Sequence, residues 1–333
     1  MLRRHEPLPV LLSVLSVLGL LSAACAAGGG GSAQRGEDDT ARTVVDVAHV
    51  PSLLFAPLYL ADAKGYFRQE GIDVRMRKVK AGQDVAPLAA YGEVDMVAAG
   101  FSAALFDGVS EGLKVKVAAS MGASTGEKPS PTALEVSRSL KRSGEVEKPS
   151  DLRGRRVAVA GGAGSAGGYQ LDVILRKSGL TLKDVKVVDV PFTGMRAALA
   201  EGRTDAALSP APFTTAMERA DVADQLAVPP EGTVATGLIA GQDFVPRPVA
   251  QQFLTALRKG AADLQGDGRT SRANLTILAR ATGQDTGLLR RTPAYRWDPG
   301  LRTDTRQLSK QQTAYREAGL LSGRHVPVDD LLP

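Results

Sequence analysis

Apolar residues occur in this chain as short runs that alternate with stretches in which they recur every three or four positions. The short runs are typical of buried strands, and the periodic stretches are typical of amphipathic helices. The strand pattern is found at residues 44–50, 72–79, 94–99, 113–120, 132–136 and 236–240. Strands that alternate with helices in this way predict an α/β protein whose sheets are covered by helices on both faces.

The segment 44–100 is repeated, in pattern and in key residues, from residue 155 onward. Each copy reads as strand, Gly- or Pro-containing loop, helix ending in Gly, second strand, second helix, Gly-x-x-Asp and third strand. The matching pairs, all at one offset, are Ala48 with Ala158, Gly92 with Gly202 and Asp95 with Asp205. Two βαβ runs can look alike by chance, but the constant spacing favours two similar lobes with a ligand-binding cleft between them.

The order of the strands predicts how the two lobes share the chain. We expect lobe I to comprise residues 43–131 and 238–333, and lobe II to comprise residues 132–237. The chain then crosses between the lobes twice, near the strands 132–136 and 236–240. Two such crossings form a hinge, because short connecting segments can absorb a closing motion.

The N-terminal residues 1–25 have the pattern of an export signal. Arg3 and Arg4 precede an apolar stretch at 10–21, which is too short to span a bilayer, and Cys25 follows small residues. We therefore predict a lipoprotein signal peptide ending at a lipid-anchored Cys25, with an ordinary secretory signal and an incidental cysteine as the alternative. Residues 26–42 are rich in Gly and charge and predict a flexible linker with a reach of roughly 20–25 Å.

Charge and composition narrow the partners of the globular part. The chain has 41 Lys and Arg against 36 Asp and Glu, a net charge of +5 and a pI near 9.3, which suits a protein held beside anionic lipid. The basic residues are dispersed and aromatic residues make up 5% of the chain, so nucleic acid is not an expected partner. The single cysteine lies in the signal, which excludes disulfides and thiolate metal sites from the lobes.

The Gly-rich loop 162–167 is the most enzyme-like motif. It follows a predicted strand, opens a helix, and has Asp189 at the end of the next strand, as in dinucleotide-binding loops. The same geometry suits any small ligand with a polar group, because the helix N-terminus presents free N–H donors. A turn that only lets helix and strand pack closely is the third interpretation. We favour the small-ligand loop over the other two.

Other candidates for catalysis are few. His49 lies at a strand end and could be combined with Ser52 or Ser165, but no G-x-S-x-G motif supports such a set. A packed strand-end histidine is the more common role. Asp95 and Asp205 occupy the same repeat position before a strand, which favours a turn or capping role in each lobe over paired catalytic carboxylates. We expect no metal and no cofactor.

The loops at the carboxyl ends of the predicted strands are where open α/β sheets bind ligands. They read HVPSLLFAP, AGFSA, SMGAST, GGAGSAGGY, PFTG and SPAPF, and they contain hydroxyls, backbone amides, Phe and Met but no Lys or Arg. Such a lining predicts a small, partly apolar ligand.

The motifs PLYLADAKGYFRQEGIDV, VDMVAAGFSAALFDGVSEG and DLRGRRVAVAGGAGSAGGYQLDVILRKSGL resemble the extracytoplasmic substrate-binding proteins of ABC importers. The similar branches bind aliphatic sulfonates, taurine and nitrate, or thiamine pyrimidines. The resemblance implies a two-lobed periplasmic-binding-protein-like (type II) fold with a two-strand hinge that closes on a solute. By position, the implied ligand-binding residues are Ser52, Leu54, Phe55, Phe101, Ser102, Met121, Gly164, Ser165, Ala166, Thr193, Ser209 and Pro210.

The resemblance also implies the partners. These are a small-molecule ligand and the permease subunits of an ABC transporter, with a monomer anchored through lipid to the outer face of the bacterial cell membrane. Pyrimidine binders of this kind usually carry Trp and acidic residues in the ligand loops, which this chain lacks, so a sulfonate- or taurine-like solute is favoured over a pyrimidine or another heteroaromatic vitamin precursor. The alternative class is an exported hydrolase or oxidoreductase that uses His49 or the Gly-rich loop.

Overall fold

Two five-stranded sheets, each flanked by helices, make up the part of the chain described by the structure, a computed structural model covering residues 42–80 and 84–333. The strands are β1 (Thr43–His49), β2 (Ile72–Lys78), β3 (Met96–Gly100), β4 (Val115–Met121), β5 (Thr132–Ser137), β6 (Arg156–Val159), β7 (Lys186–Asp189), β8 (Ala206–Pro210), β9 (Ala223–Ala227) and β10 (Thr236–Gly241). The signal and Cys25 lie outside the described residues, as does nearly all of the predicted linker.

Helices connect and cover the strands. The α-helices are α1 (Ala56–Ala63), α2 (Tyr66–Gln69), α3 (Ala86–Ala90), α4 (Ala103–Ser110), α5 (Arg138–Arg142), α6 (Ala166–Arg176), α7 (Phe192–Ala200), α8 (Phe213–Arg219), α9 (Pro248–Ala262), α10 (Arg272–Thr282), α11 (Thr286–Arg291) and α12 (Thr305–Glu317). Short 3-10 helices are Leu53–Phe55, Pro149–Leu152, Leu182–Asp184, Gly266–Thr270 and Val328–Leu331. Within the described part of the chain, no helix is long and apolar enough to cross a bilayer.

The two sheets have the same topology. The first has the strand order β2-β1-β3-β10-β4 and the second β7-β6-β8-β5-β9. In each, the strands of the repeat are parallel, and the fourth strand, β10 or β5, is antiparallel to its neighbours. That antiparallel strand is the one entered directly from the other lobe. The prediction of a two-lobed α/β fold is confirmed.

The crossings between the lobes lie side by side. Residues 122–131 lead from β4 to β5 and residues 228–235 lead from β9 to β10. Ser124 joins the two crossings, since its N–H donates to the carbonyl of Thr233 at 3.0 Å and its carbonyl accepts from the N–H of Gly232 at 2.9 Å. The predicted return point at 237–238 falls inside β10, so that Thr236 and Gly237 belong to the first sheet.

The repeated aspartates have the same structural role in both sheets. The Asp95 carboxylate accepts a hydrogen bond from the N–H of Asp46 at 2.9 Å, and that of Asp205 accepts from the N–H of Arg156 at 2.8 Å. Asp46 and Arg156 are themselves equivalent positions of the repeat. Each aspartate thus fixes the strand that follows it against the first strand of its own lobe, which is a structural role between strands and differs from the local turn or cap that the sequence predicts.

Both faces of the first sheet are covered. Val45 and Val47 of β1 point to the cluster formed with α1 and α9, in which Phe67 stacks on Phe253 with ring centroids 4.5 Å apart. Ala48 of the same strand points to the opposite cluster, which includes Tyr315 of α12. Burial on both faces explains why β1 reads as an almost continuous apolar run.

Candidate functional site

A cavity of about 410 Å³ lies between the two lobes. Ser52 and Gly100, at the ends of β1 and β3, form part of one wall, and Gly161 and Pro210, at the ends of β6 and β8, form part of the other. These are the carboxyl ends of parallel strands, where open α/β sheets bind ligands. The volume falls in the range of roughly 300–1,000 Å³ that is usual for small-molecule sites.

Most of the predicted ligand-binding residues line this cavity. The structure places nine of them there: Ser52, Leu54, Phe55, Ser102, Gly164, Ser165, Ala166, Ser209 and Pro210. Five come from lobe II and four from lobe I, so that the cavity depends on both lobes. Direct contact between these residues and a ligand stays a prediction.

Three predicted residues are placed elsewhere. Phe101 and Met121 are each 1% exposed and belong to the two clusters that cover the first sheet. Thr193 is exposed on α7, whereas its neighbour Phe192 lines the cavity. Successive residues of a helix point about 100° apart, so a shift of one position is enough to turn a side chain away from the cavity.

The cavity serines have local partners that explain their positions. Ser102 caps α4 by accepting from the N–H of Leu105 at 3.1 Å, and Ser165 caps α6 by accepting from the N–H of Gly168 at 3.2 Å. Such caps satisfy donors that a helix N-terminus cannot pair internally. The Ser165 hydroxyl also donates to the carbonyl of Gly162 at 2.8 Å, so its proton is already used inside the Gly-rich loop.

The two lobes touch at the rim of the cavity. The N–H of Ala103 in lobe I donates to the carbonyl of Gly164 in lobe II at 2.8 Å, and the Ser52 hydroxyl donates to the carbonyl of Ala211 at 3.3 Å. Gly100 faces Ala166 so closely that a Cβ added to Gly100 would lie 2.5 Å from the Ala166 methyl. The structure is therefore that of a closed cleft.

The C-terminal helix α12 contacts both lobes beside the cavity. Tyr315, 1% exposed, directs its hydroxyl to the carbonyl of Phe101 at 2.9 Å and to that of Ser165 at 2.8 Å. Gln311, one helical turn earlier, donates to the Tyr315 oxygen at 2.9 Å. Burial raises the pKa of Tyr315, so this phenol stays a hydrogen-bond donor.

Two of the described residues that line the cavity have acidic side chains, Asp84 and Asp107, and none has a basic one. Burial on its own raises the pKa of Asp107, but hydrogen bonds from Ser322 and Gly323 outweigh it and lower the pKa. Asp107 is therefore ionised at neutral pH. Burial raises the pKa of Asp84, against a hydrogen bond from the N–H of Ala86.

Sequence reasoning missed several lining residues, among them Asp107, Gln170, Phe192 and Leu320. Gln170 had a usable signal, because it follows Ala166 by four positions and therefore shares its helix face. Asp107 has the same relation to Ala103. Leu320 reaches the cavity from the end of the chain, and no local pattern marks it.

A buried carboxyl lies behind the cavity wall in lobe II. Glu135 on β5 is fully buried, and its Oε2 accepts a hydrogen bond at 3.3 Å from the hydroxyl of Ser209, which lines the cavity. Burial, and next the charge of Glu218, raise the pKa of Glu135 well above its ordinary value. Arg138, the nearby cation, is paired with Asp224 at 2.7 Å. This shift favours the protonated form of the buried carboxyl.

The residues proposed for catalysis are engaged in the fold. His49 is 3% exposed, lies outside the cavity lining and has its Nδ1 3.0 Å from the hydroxyl of Tyr59. Burial, and next the charge of Lys78, lower the pKa of His49 to about 4. The Asp189 carboxylate accepts from the N–H of Gly161 at 2.7 Å and so holds the Gly-rich loop. Among residues 42–80 and 84–333, no three His, Cys, Asp or Glu are grouped as metal ligands.

The repeated lobes, the shared sheet topology and the interlobe cavity define the class of two-lobed periplasmic-binding-protein-like folds. The model of the NMT1/THI5-like family matches residues 53–268, well over half of the chain. The chain belongs to the NMT1/THI5-like family. This match and the structures below confirm the family resemblance that the motifs predict.

Solved structures share this fold over most of the chain. The alkanesulfonate-binding protein SsuA from Xanthomonas axonopodis pv. citri, bound to MOPS, superposes with a TM-score of 0.69 at 19% identity, covering 86% of this chain and 97% of that one. The periplasmic nitrate-binding protein NrtA from Synechocystis PCC 6803 superposes with a TM-score of 0.66 at 13% identity, covering 85% and 83%.

One protein that is similar to part of the chain is an enzyme by its name. The 4-amino-5-hydroxymethyl-2-methylpyrimidine phosphate synthase of Aspergillus parasiticus is 33% identical over 133 residues, which are 40% of this chain. The matched region spans 35%, about a third, of that relative. The similarity is therefore local.

Proposed function

We propose that this protein is the solute-binding component of an ABC importer, which captures a small organic solute between its lobes and delivers it to a permease. The observation that carries this proposal is the cavity of about 410 Å³ whose walls come from strand ends of both lobes. A site divided between two lobes couples binding to closure, since a ligand that touches both lobes favours the closed state. A permease can then distinguish loaded from unloaded protein by shape.

The similar structures of SsuA and NrtA, which are binding proteins, support the proposal. The similar fungal synthase supports the enzyme alternative. The geometry favours binding. His49 is turned away from the cavity and bonded to Tyr59, and Asp189 is bonded to the backbone of its own loop. The sulfonate- or taurine-like preference drawn from the resemblance stays a prediction, as do the pyrimidine alternative and the monomeric state.

Native mass spectrometry of freshly purified protein tests the proposal. We expect a small molecule to co-purify, because a ligand that contacts both lobes favours the closed state and is held there. Mild denaturation, dialysis and refolding should remove it, and small-angle scattering should then show a larger radius of gyration, which returns to the smaller value when the identified molecule is added back. An unchanged radius at saturating, confirmed binding would argue against a closing hinge.

We also propose that Cys25 carries a lipid that anchors the protein outside the cell membrane. The apolar run at 10–21 is too short to span a bilayer, so anchorage depends on acylation. Cys25→Ser should move nearly all of the protein from the membrane fraction to the soluble fraction, measured by immunoblotting after a high-salt wash that removes electrostatic binding. Retention of the variant on washed membranes would contradict the lipid anchor.

A further inference from the structure

Gln170 on α6 is a buried polar side chain that the fold leaves without a partner. It is 7% exposed and lines the interlobe cavity. Among residues 42–80 and 84–333, its carboxamide group has no hydrogen-bond partner. The amide atoms are accessible from the cavity, so they are available to hydrogen-bond a ligand there.

The position of Gln170 on α6 places its side chain at the wall of the cavity. Side chains of an α-helix tilt toward the N-terminus of the helix, so that Gln170 lies over Ala166, which lines the same cavity one turn earlier. Neighbouring serines are already bonded: Ser165 to Gly162 and Gly168, and Ser52 to Ala211 and Leu54. Ser209 donates to Glu135, so among the described lining residues of lobe II Gln170 keeps its full hydrogen-bonding capacity, two N–H donors and one carbonyl acceptor, available.

The charges around the cavity disfavour an anion. Asp107 is ionised, Asp84 is a second carboxylate in the lining, and the described lining contains no Lys, Arg or His. The N-termini of α4 and α6 attract an anion with partial charges of roughly half a unit each. These partial charges do not exceed the two carboxylates, and they are shared with the Ser102 and Ser165 caps. An uncharged ligand avoids this repulsion.

We infer that Gln170 determines specificity, and that the group it binds is an uncharged amide, either a primary carboxamide or a lactam. Such a group presents an N–H beside a carbonyl, so it pairs with the Gln170 carboxamide through two parallel hydrogen bonds. The apolar remainder of the ligand lies against Phe55 and Phe192. This inference rests on the proposed solute-binding function and replaces the sulfonate-like solute with an amide.

The test measures thermal shifts and calorimetric affinities for matched probes on refolded, ligand-free protein. Benzamide, nicotinamide and 2-pyridone represent uncharged amides, and benzenesulfonate, taurine and nitrate represent the sulfonate- and nitrate-type ligands. We expect stabilisation by at least one amide, no stabilisation by benzenesulfonate, and at least tenfold weaker amide binding by Gln170→Leu. Without ligand, the Tm of Gln170→Leu should stay close to that of the wild type, because within the described part of the chain the amide makes no hydrogen bond that the substitution could remove.

Thr204→Val is the matched control. The Thr204 hydroxyl is also buried without a partner, but it lies outside the cavity lining, so its removal should leave amide affinity unchanged. Equal amide affinity in Gln170→Leu and wild type, or sulfonate binding that Gln170→Leu does not alter, would overturn the inference while leaving the solute-binding function intact. If no probe binds and no molecule co-purifies, both proposals fail.

Discussion

Replacement of Gly100 by Ala is expected to weaken solute binding by roughly 5- to 150-fold, with each lobe still folded. The added methyl carbon would lie 2.5 Å from the Ala166 methyl of the opposite lobe, whereas ordinary contacts begin near 3.4 Å. Overpacking of this kind costs about 1–3 kcal/mol, and that free energy corresponds to the stated loss of affinity. The clash exists only when the lobes are closed, so opening relieves it.

Calorimetry with the identified solute measures the affinity, and thermal unfolding without solute reports on the lobes. The double variant Gly100→Ala with Ala166→Gly is the control, because it moves the methyl group across the cleft and restores the space. It should recover most of the lost affinity. Wild-type affinity in Gly100→Ala alone would contradict closure at this contact. A clearly lower Tm of this variant without solute would do the same, because it would show that the added methyl group destabilises a lobe.

Glu135→Gln is expected to stabilise the protein at neutral pH, and the gain should grow as pH rises. Burial, and next the charge of Glu218, raise the pKa of Glu135 in the folded protein well above 4.5, so the folded state holds this proton to a higher pH than the unfolded chain, which releases it near 4.5. Above about pH 4.5 the unfolded state therefore binds fewer protons. Stability of the wild type falls by about 1.4 kcal/mol per pH unit from this group until pH reaches the folded-state pKa.

A glutamine cannot ionise, so the variant lacks this decline. Urea unfolding at pH 4, 6 and 8 should give similar free energies for both proteins at pH 4 and an increasing advantage of Glu135→Gln at the higher values. Glu93→Gln, on the exposed surface, is the matched control for replacing a carboxyl group by a carboxamide without changing a buried site. A constant difference between Glu135→Gln and wild type across the series would show that folding does not raise the pKa of Glu135.

The sequence was most informative where local pattern decides structure. Strand ends such as Ser52 and Ser102 were predicted at the cavity because parallel strands present their carboxyl ends at one edge of a sheet. Phe101 follows the same strand end as Ser102, yet it points into the core, because neighbouring residues there face opposite ways. The contacts of Leu320 and Tyr315 could not be predicted in this way, because these residues come from the C-terminal part of the chain, more than a hundred residues from the strand ends that they contact.

The hydroxyl of Tyr315 on α12 connects the two lobes. In the closed cleft its single proton is divided between the carbonyls of Phe101 and Ser165. When the lobes separate, we expect the Tyr315 hydroxyl to stay bonded to the carbonyl of Phe101, while the Ser165 carbonyl still accepts from the N–H of Tyr169, at 3.0 Å in the closed structure. Neither carbonyl is therefore left without a donor when this contact opens. Breaking this contact then costs as much as one ordinary hydrogen bond, roughly 0.5–1.5 kcal/mol, and α12 can form it again each time the lobes close.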